Sequence, residues 1–283
     1  MPPKFGPAGN SNSFYDEGHK HTVEMPLWLY NMGLDAYEYQ CGRGVNISQE
    51  TAKAFGKEAL DNNIFLSLHA PYYISMSSVE QEKRDNSIKY IMQSVQAATA
   101  MGATRVIIHS GSCGKLDRNT ALDLAKDTLK KAIKTLDNEG FRDITLCPET
   151  MGKINQLGTL EEVLELCKLD ERLIPTIDFG HLNARTMGGL KTYKDFEKIF
   201  DLIENELGID RLKVFHSHFS KIEYTTGGEK KHLTFEDKVF GPNFDFVAEL
   251  TYKKGLTPTF ICESAGTMAQ DALKMKKIYS KLL

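Results

Sequence analysis

The chain has 283 residues, 41% of them apolar and 26% charged, an ordinary balance for a water-soluble globular protein. A formal charge of −3 gives no global attraction to nucleic acid, so any grip on a phosphate backbone must come from a local basic face. The five cysteines, Cys41, Cys113, Cys147, Cys167 and Cys262, are odd in number and lack C-x-x-C spacing, which argues against a disulfide framework or a thiolate zinc site. No secretory signal and no bilayer-length apolar run is read, so a cytoplasmic location without a membrane partner is expected.

Short runs rich in Val, Ile, Leu and Phe alternate with amphipathic stretches, the pattern of strand–helix units around a parallel sheet. In chain order the predicted strands are KFGPAG, LDAYEYQ, NIFLSLHA, TRVIIHSG, ITLCPET, LIPTIDFGH, LKVFHSHF and TPTFICES. Between them, SIKYIMQSVQAATAMG puts Ile88, Ile91, Met92, Val95 and Ala98 on one helical face and stops at Gly102. A second helix is predicted from Asn119 or Thr120 to Gly140, and a third from Thr192 to Gly208. About eight such units, without a composition break or linker, predict a single (β/α)8 TIM-barrel domain over residues 1–283. An open doubly wound sheet is the alternative, but neither G-x-G-x-x-G nor a P-loop follows an early strand.

Chemistry-bearing residues stand where these strands end: His69, His109, Glu149, Asp178 with His181, His216 and Glu263. A barrel brings all of these edges to one rim, where such folds build their sites. Taken singly, a strand-end His is more often a structural hydrogen-bonding group. Six successive strands ending this way predict convergence, and converging imidazoles and carboxylates need a cation to offset their desolvation and repulsion. Imidazole and carboxylate donors without thiolate suit Zn2+, Mn2+ or Fe2+. His218 alternates with His216 along one strand and is expected beside the metal ligands. GEKKH, before Leu233, reads as a basic, solvated loop.

In their order and spacing, LDAYEYQCGRG, LHAPYY, IHSGS, PETMGK, TIDFGHLNAR, FHSHFSK, KKHLTFEDKVFGPNF and ICESAG resemble the endonuclease IV family of apurinic/apyrimidinic endonucleases, within the xylose-isomerase-like barrels. The resemblance implies two or three zinc ions, with Mn2+ as an alternative. It puts His69 and His109 on the first and Glu149 between first and second. Asp178, His216 and Glu263 complete the second, and His181 and His232 hold the third. Glu149 and Glu263 are the implied catalytic carboxylates. The implied reaction is hydrolysis on the 5′ side of an abasic site in duplex DNA, a repair step that uses metal-activated water. Arg43 and Tyr72, with Tyr73 a looser candidate, would fill the gap left by the flipped nucleotide. Lys153, Arg185, Lys221, Lys230 and Lys231 would meet phosphates. The family is usually monomeric.

The sequence departs from that pattern at two places. Lys230 stands where the family's Asp-x-His motif before His232 has its carboxylate, with Glu229 one residue away. HSHF replaces the family's His-Leu-Asn-Asp wording. Two rival readings remain: a single-metal sugar epimerase or isomerase using Glu149, Asp178, His216 and Glu263, and a barrel that has lost catalysis and only binds.

Overall fold

The computed structural model describes residues 2–283. Among these residues the barrel strands are β1 (Lys4–Pro7), β2 (Ala36–Gln40), β3 (Phe65–His69), β4 (Arg105–Ile108), β5 (Thr145–Pro148), β6 (Thr176–Asp178), β7 (His216–Phe219) and β10 (Thr259–Cys262). A hairpin of β8 (Lys221–Thr225) and β9 (Gly228–Leu233) stands apart from them. All the barrel pairings are parallel, in two four-stranded sheets ordered β2-β3-β4-β5 and β1-β10-β7-β6. Single parallel bridges, Ala8 to Glu38 and Glu149 to Thr176, span the two seams, so each edge of one sheet meets an edge of the other. At the first seam a Cβ on Gly6 would lie 1.8 Å from the Ala36 carbonyl oxygen, so only glycine lets β1 come this close to β2.

Residues of opposite parity along each strand face opposite ways. Leu66, Leu68, Val106, Ile108, Leu146, Ile177 and Phe260 point outward into the apolar cluster shared with the helices. The other parity carries Glu38, Ser67, His69, Glu149, Thr176, Asp178, His216 and His218 into the interior, all buried. Around β6, β7 and β10 the outer layer is aromatic: Phe179 lies 6.1 Å from Phe200, and Phe260 lies 5.0 Å from Phe244. Each fully buried phenylalanine contributes about 1.5–3 kcal/mol of transfer free energy.

The expected helices appear with shifted starts. Helix α4 (Gln81–Ala100) begins six residues before Ser87 and buries Ile91, Val95 and Ala98 before Gly102, at φ 71°, turns the chain away. Helix α5 (Arg118–Asn138) is capped by Asp117, whose side chain accepts from the Thr120 amide at 3.0 Å, so the cap lies two residues before Asn119. Helix α8 (Tyr193–Leu207) opens on a capping box of Thr192 and Asp195 and ends before Gly208. All eight barrel strands are shorter than the predicted runs, and in two of them a helix takes part of the remainder. Helix α9 (Ile209–Lys213) takes the first part of LKVFHSHF, and helix α7 (Phe179–Arg185) takes the end of LIPTIDFGH. GEKKH is a correction: it is strand β9, which pairs antiparallel with β8. No described helix is long and apolar enough to cross a membrane.

Candidate metal centre

The carboxyl ends of the barrel strands bring most of the predicted residues into one cluster. His69 closes β3, while His109, Glu149 and Glu263 each follow the last residue of β4, β5 and β10. Glu149 is the hub. Its Oε2 lies 3.2 Å from His69 Nε2 and 3.1 Å from His109 Nε2. The Nδ1–H of His69 donates to the Ala70 carbonyl at 2.8 Å, which turns the Nε2 edge of the ring toward Glu149.

The other Glu149 oxygen faces a second group. Oε1 lies 2.8 Å from Nδ1 of His218, which is in turn 3.6 Å from Glu263 Oε1. Glu149, Asp178, His218 and Glu263 can each offer one atom within 4.8 Å of every other. His216, expected in this place, does not reach it. In the parallel register His218 is level with Asp178 at the strand end, whereas His216 is level with Thr176, two residues deeper. Both rings share the interior face, and depth separates them. His216 instead meets Glu38, a buried carboxylate on β2 that the sequence reading did not single out. The signal available for Glu38 was an acidic residue in the middle of AYEYQ, on the parity of the interior face.

A third group forms where the hairpin leans over the rim. His181, in the first turn of α7, puts Nε2 3.4 Å from Glu229 Oε2, and His232 Nε2 lies 3.8 Å from Glu229 Oε1. Glu229 and His232 are three residues apart, and a regular strand would point them to opposite faces. The hairpin register shifts by one, pairing Glu223 with Lys231 but Tyr224 with Glu229. Lys230 is the extra residue of that β-bulge. The bulge absorbs it, returns Glu229 to the face of His232, and sends Lys230 outward to Glu223 at 2.5 Å. The carboxylate missing at position 230 is thus supplied from position 229. Gly152 makes room, since a Cβ there would lie 2.6 Å from the Glu229 Cβ and 2.9 Å from the His181 ring.

The electrostatics of the cluster favour a bound cation. Burial opposes ionisation of Glu149, yet His218, His109 and His69 together hold it well below the ordinary carboxylate range. Burial likewise opposes the imidazoliums, but Glu149 pushes His69 up to about 9, and Asp178, Glu149, Glu229 and Glu263 push His181 up to about 9. Burial lifts the Asp178 carboxyl to about 6, against the pull of His181 and with the help of Glu263 and Glu149. Its Oδ1 accepts from the His181 amide at 2.7 Å, while Oδ2 is buried without a hydrogen-bond partner. An orphaned buried oxygen among imidazoles and carboxylates, with no thiolate, is the donor chemistry of Zn2+ or Mn2+.

At the rim, Arg43 is exposed and Tyr72 is half-exposed, and their loops are tied by the Tyr72 amide donating to the Gly42 carbonyl at 3.3 Å. Tyr73 packs against Tyr72, with ring centroids 5.0 Å apart. The basic residues mostly have other partners. Arg185 donates to the carbonyls of Met151, Ile154 and Gln156, and Lys221 to the carbonyl of Asp237. Lys231 lies 3.3 Å from Glu223, and Lys153 is exposed.

The family model for the xylose isomerase-like TIM barrel matches residues 27–278. An uncharacterised protein, MJ0133, of Methanocaldococcus jannaschii is 32% identical over 98% of this chain and 97% of its own length. A probable endonuclease 4 of Ureaplasma parvum is 25% identical over 67% of this chain, which spans 65% of that relative. Among solved structures, endonuclease IV from Thermus thermophilus superposes with a TM-score of 0.69 at 15% identity, covering 99% of this chain and 98% of its own. A D-tagatose 3-epimerase-like protein does so with a TM-score of 0.68 at 21% identity, covering 98% and 96%. At such identities these two similarities show the fold alone, and they show it equally.

Proposed function

This chain belongs to the xylose isomerase-like TIM barrel family, and within it we propose that it is a divalent-metal-dependent phosphodiesterase that cuts duplex DNA 5′ to abasic sites. One observation carries the reading: beside the paired groups that share Glu149, His181 and His232 each approach Glu229 and form with Glu263 a further set whose donor atoms lie within 4.8 Å of one another. A sugar epimerase has use for one set of Glu, Asp, His and Glu, and it leaves the third group and the His69–His109 pair unexplained. The probable endonuclease 4 relatives support the same choice.

In this reading His69, His109 and Glu149 hold one ion. Glu149, Asp178, His218 and Glu263 hold a second, and His181, Glu229 and His232 a third. Zinc or manganese held there would acidify a water and offset charge developing on phosphoryl oxygens. The chain's own residues set the stage. Glu149 commits one oxygen to each of two donor groups, so it fixes their separation. The carbonyls of Ala70 and Thr150 take the Nδ1 protons of His69 and His181, which orients both Nε2 atoms inward. Burial strips water from Asp178 and Glu149, strengthening each interaction made there. At the rim, Tyr72 and Arg43 would occupy the space of an extruded nucleotide, and a sugar without its base costs less to extrude.

The test is incubation of the purified protein with a duplex carrying one abasic site. Nicking on its 5′ side that a chelator abolishes and zinc or manganese restores is the expected result. No incision with any divalent metal, together with turnover of a ketose, would replace this reading with the epimerase. That alternative is favoured by the completeness of the Glu149, Asp178, His218 and Glu263 set on its own.

A further inference from the structure

We propose that Glu38 is a positioning residue for His218, fixing the ring so that Nδ1 rather than Nε2 faces the donor set of Glu149, Asp178 and Glu263. The inference rests on the reading that this set holds an ion. A carboxylate in the middle of a barrel strand is expensive to bury unless its oxygens are fully engaged, and those of Glu38 are. Oε2 accepts from Ser67 Oγ and from His216 Nε2, each at 2.9 Å. Oε1 accepts from Gln40 Nε2 at 3.0 Å and lies 2.9 Å from His218 Nε2.

The direction of each contact follows from which atoms can donate. The Arg105 guanidinium donates to the Val214 carbonyl at 2.8 Å and approaches His216 Nδ1 at 3.4 Å. Arginine has no acceptor, so Nδ1 of His216 is the bare nitrogen and Nε2 carries the hydrogen given to Glu38. His216 therefore anchors Glu38. One oxygen of that carboxylate is pinned by His216 and Ser67, and the other is presented to His218. That oxygen lies 2.9 Å from Nε2 of His218, so the Nε2 edge of the ring faces Glu38 and the Nδ1 edge faces Glu149 Oε1 at 2.8 Å. The Nε2 contact is close but poorly aligned as a hydrogen bond, so the charge of Glu38 does more here than a linear bond. Carboxylate–histidine–metal relays of this kind orient the ring and raise its basicity.

Two measurements test this. In the first, long-range 1H–15N correlation of the imidazole nitrogens in the zinc-loaded wild-type protein should show the His218 proton on Nε2 and no proton on Nδ1. A proton on Nδ1 would overturn the proposal without any variant. In the second, zinc is titrated against a chromophoric chelator for the wild type and for Glu38→Gln, which keeps side-chain volume. The variant should bind one ion about 10–100-fold more weakly and hold the ion at His69 and His109 as the wild type does. Native affinity for every ion in the variant would overturn the role of Glu38 alone. A wild type that binds no zinc would instead remove the metal reading, and this inference with it. An equal loss at every ion would mark Glu38 as merely structural and also overturn the proposal.

Discussion

The third donor group turns on one carboxylate, and Glu229→Gln isolates it with almost no change of shape. Glu229 Oε2 lies 3.4 Å from His181 Nε2, so a cation held between them would face the carboxylate at no more than that separation, where two unit charges interact by about 5 kcal/mol at an effective dielectric of 20. The Glu229 side chain is 15% exposed, and water screening reduces that figure to about 2–3 kcal/mol. At 1.4 kcal/mol per decade this is roughly 30–150-fold in affinity for an ion held between His181 and His232. Zinc content after equilibrium dialysis at a buffered concentration near the wild-type midpoint reads the effect directly: one ion per chain should be lost and the others kept. A companion deletion of Lys230 probes the bulge. It removes the extra residue, brings Glu229 and His232 into ordinary i, i+2 alternation, and should retain all the ions. Full zinc content in Glu229→Gln, or loss of an ion on deleting Lys230, would refute the bulge as the device that places this carboxylate.

Glu149→Gln should abolish nicking, because this side chain offers one oxygen to each of the paired groups, whereas Glu263→Gln should cost less; near-native rates in both would refute the assignment. His69 and His181 sit near 9 instead of the ordinary 6.5, so an entering ion must displace their protons. Zinc affinity measured against pH should therefore rise about tenfold per unit for each of them up to about 9 and then level off. In the metal-free protein the same raised values stabilise the fold fully below about 6.5, and that contribution disappears as pH rises through about 9, which melting curves would show. Tyr72→Ala should weaken binding to an abasic duplex by about 1–3 kcal/mol in a fluorescence titration while leaving zinc content unchanged. Gly6→Ala should destabilise by more than about 4 kcal/mol in urea unfolding, because the new methyl meets the Ala36 carbonyl at the β1–β2 seam.

The strand–helix alternation was legible because most barrel strands hold a short run of aliphatic, β-branched or aromatic residues, and the ends of those runs carried the site residues. What the sequence hid is a matter of depth and register. His216 and His218 share a face by period two, and only the pairing of β7 with β6 shows which one stands level with Asp178. Glu38 is surrounded by Tyr37 and Tyr39 and looks like an exposed charge in an alternating strand, until closure of the barrel makes its side the interior. The Glu229 position could not be read from spacing, since a β-bulge changes the face of a residue without leaving a composition signature. Helix starts drifted because the capping residue, as at Asp117, lies outside the apolar period that reveals the helix.

The two seams give the cluster a second significance. His69, His109, Glu149 and Glu38 belong to the β2–β5 side, while Asp178, His218, His216 and Glu263 belong to the side made of β6, β7, β10 and β1. Glu149 itself sits at a seam, where its backbone bridges to Thr176. The set of Glu149, Asp178, His218 and Glu263 draws on both sides, so an ion held there would add a clasp to the backbone hydrogen bonds that already cross the seams, from Asp35 to Phe5, Gly9 to Glu38 and Thr150 to Thr176. Loading that set would then also stabilise the closed barrel, by mass action on the folded state alone.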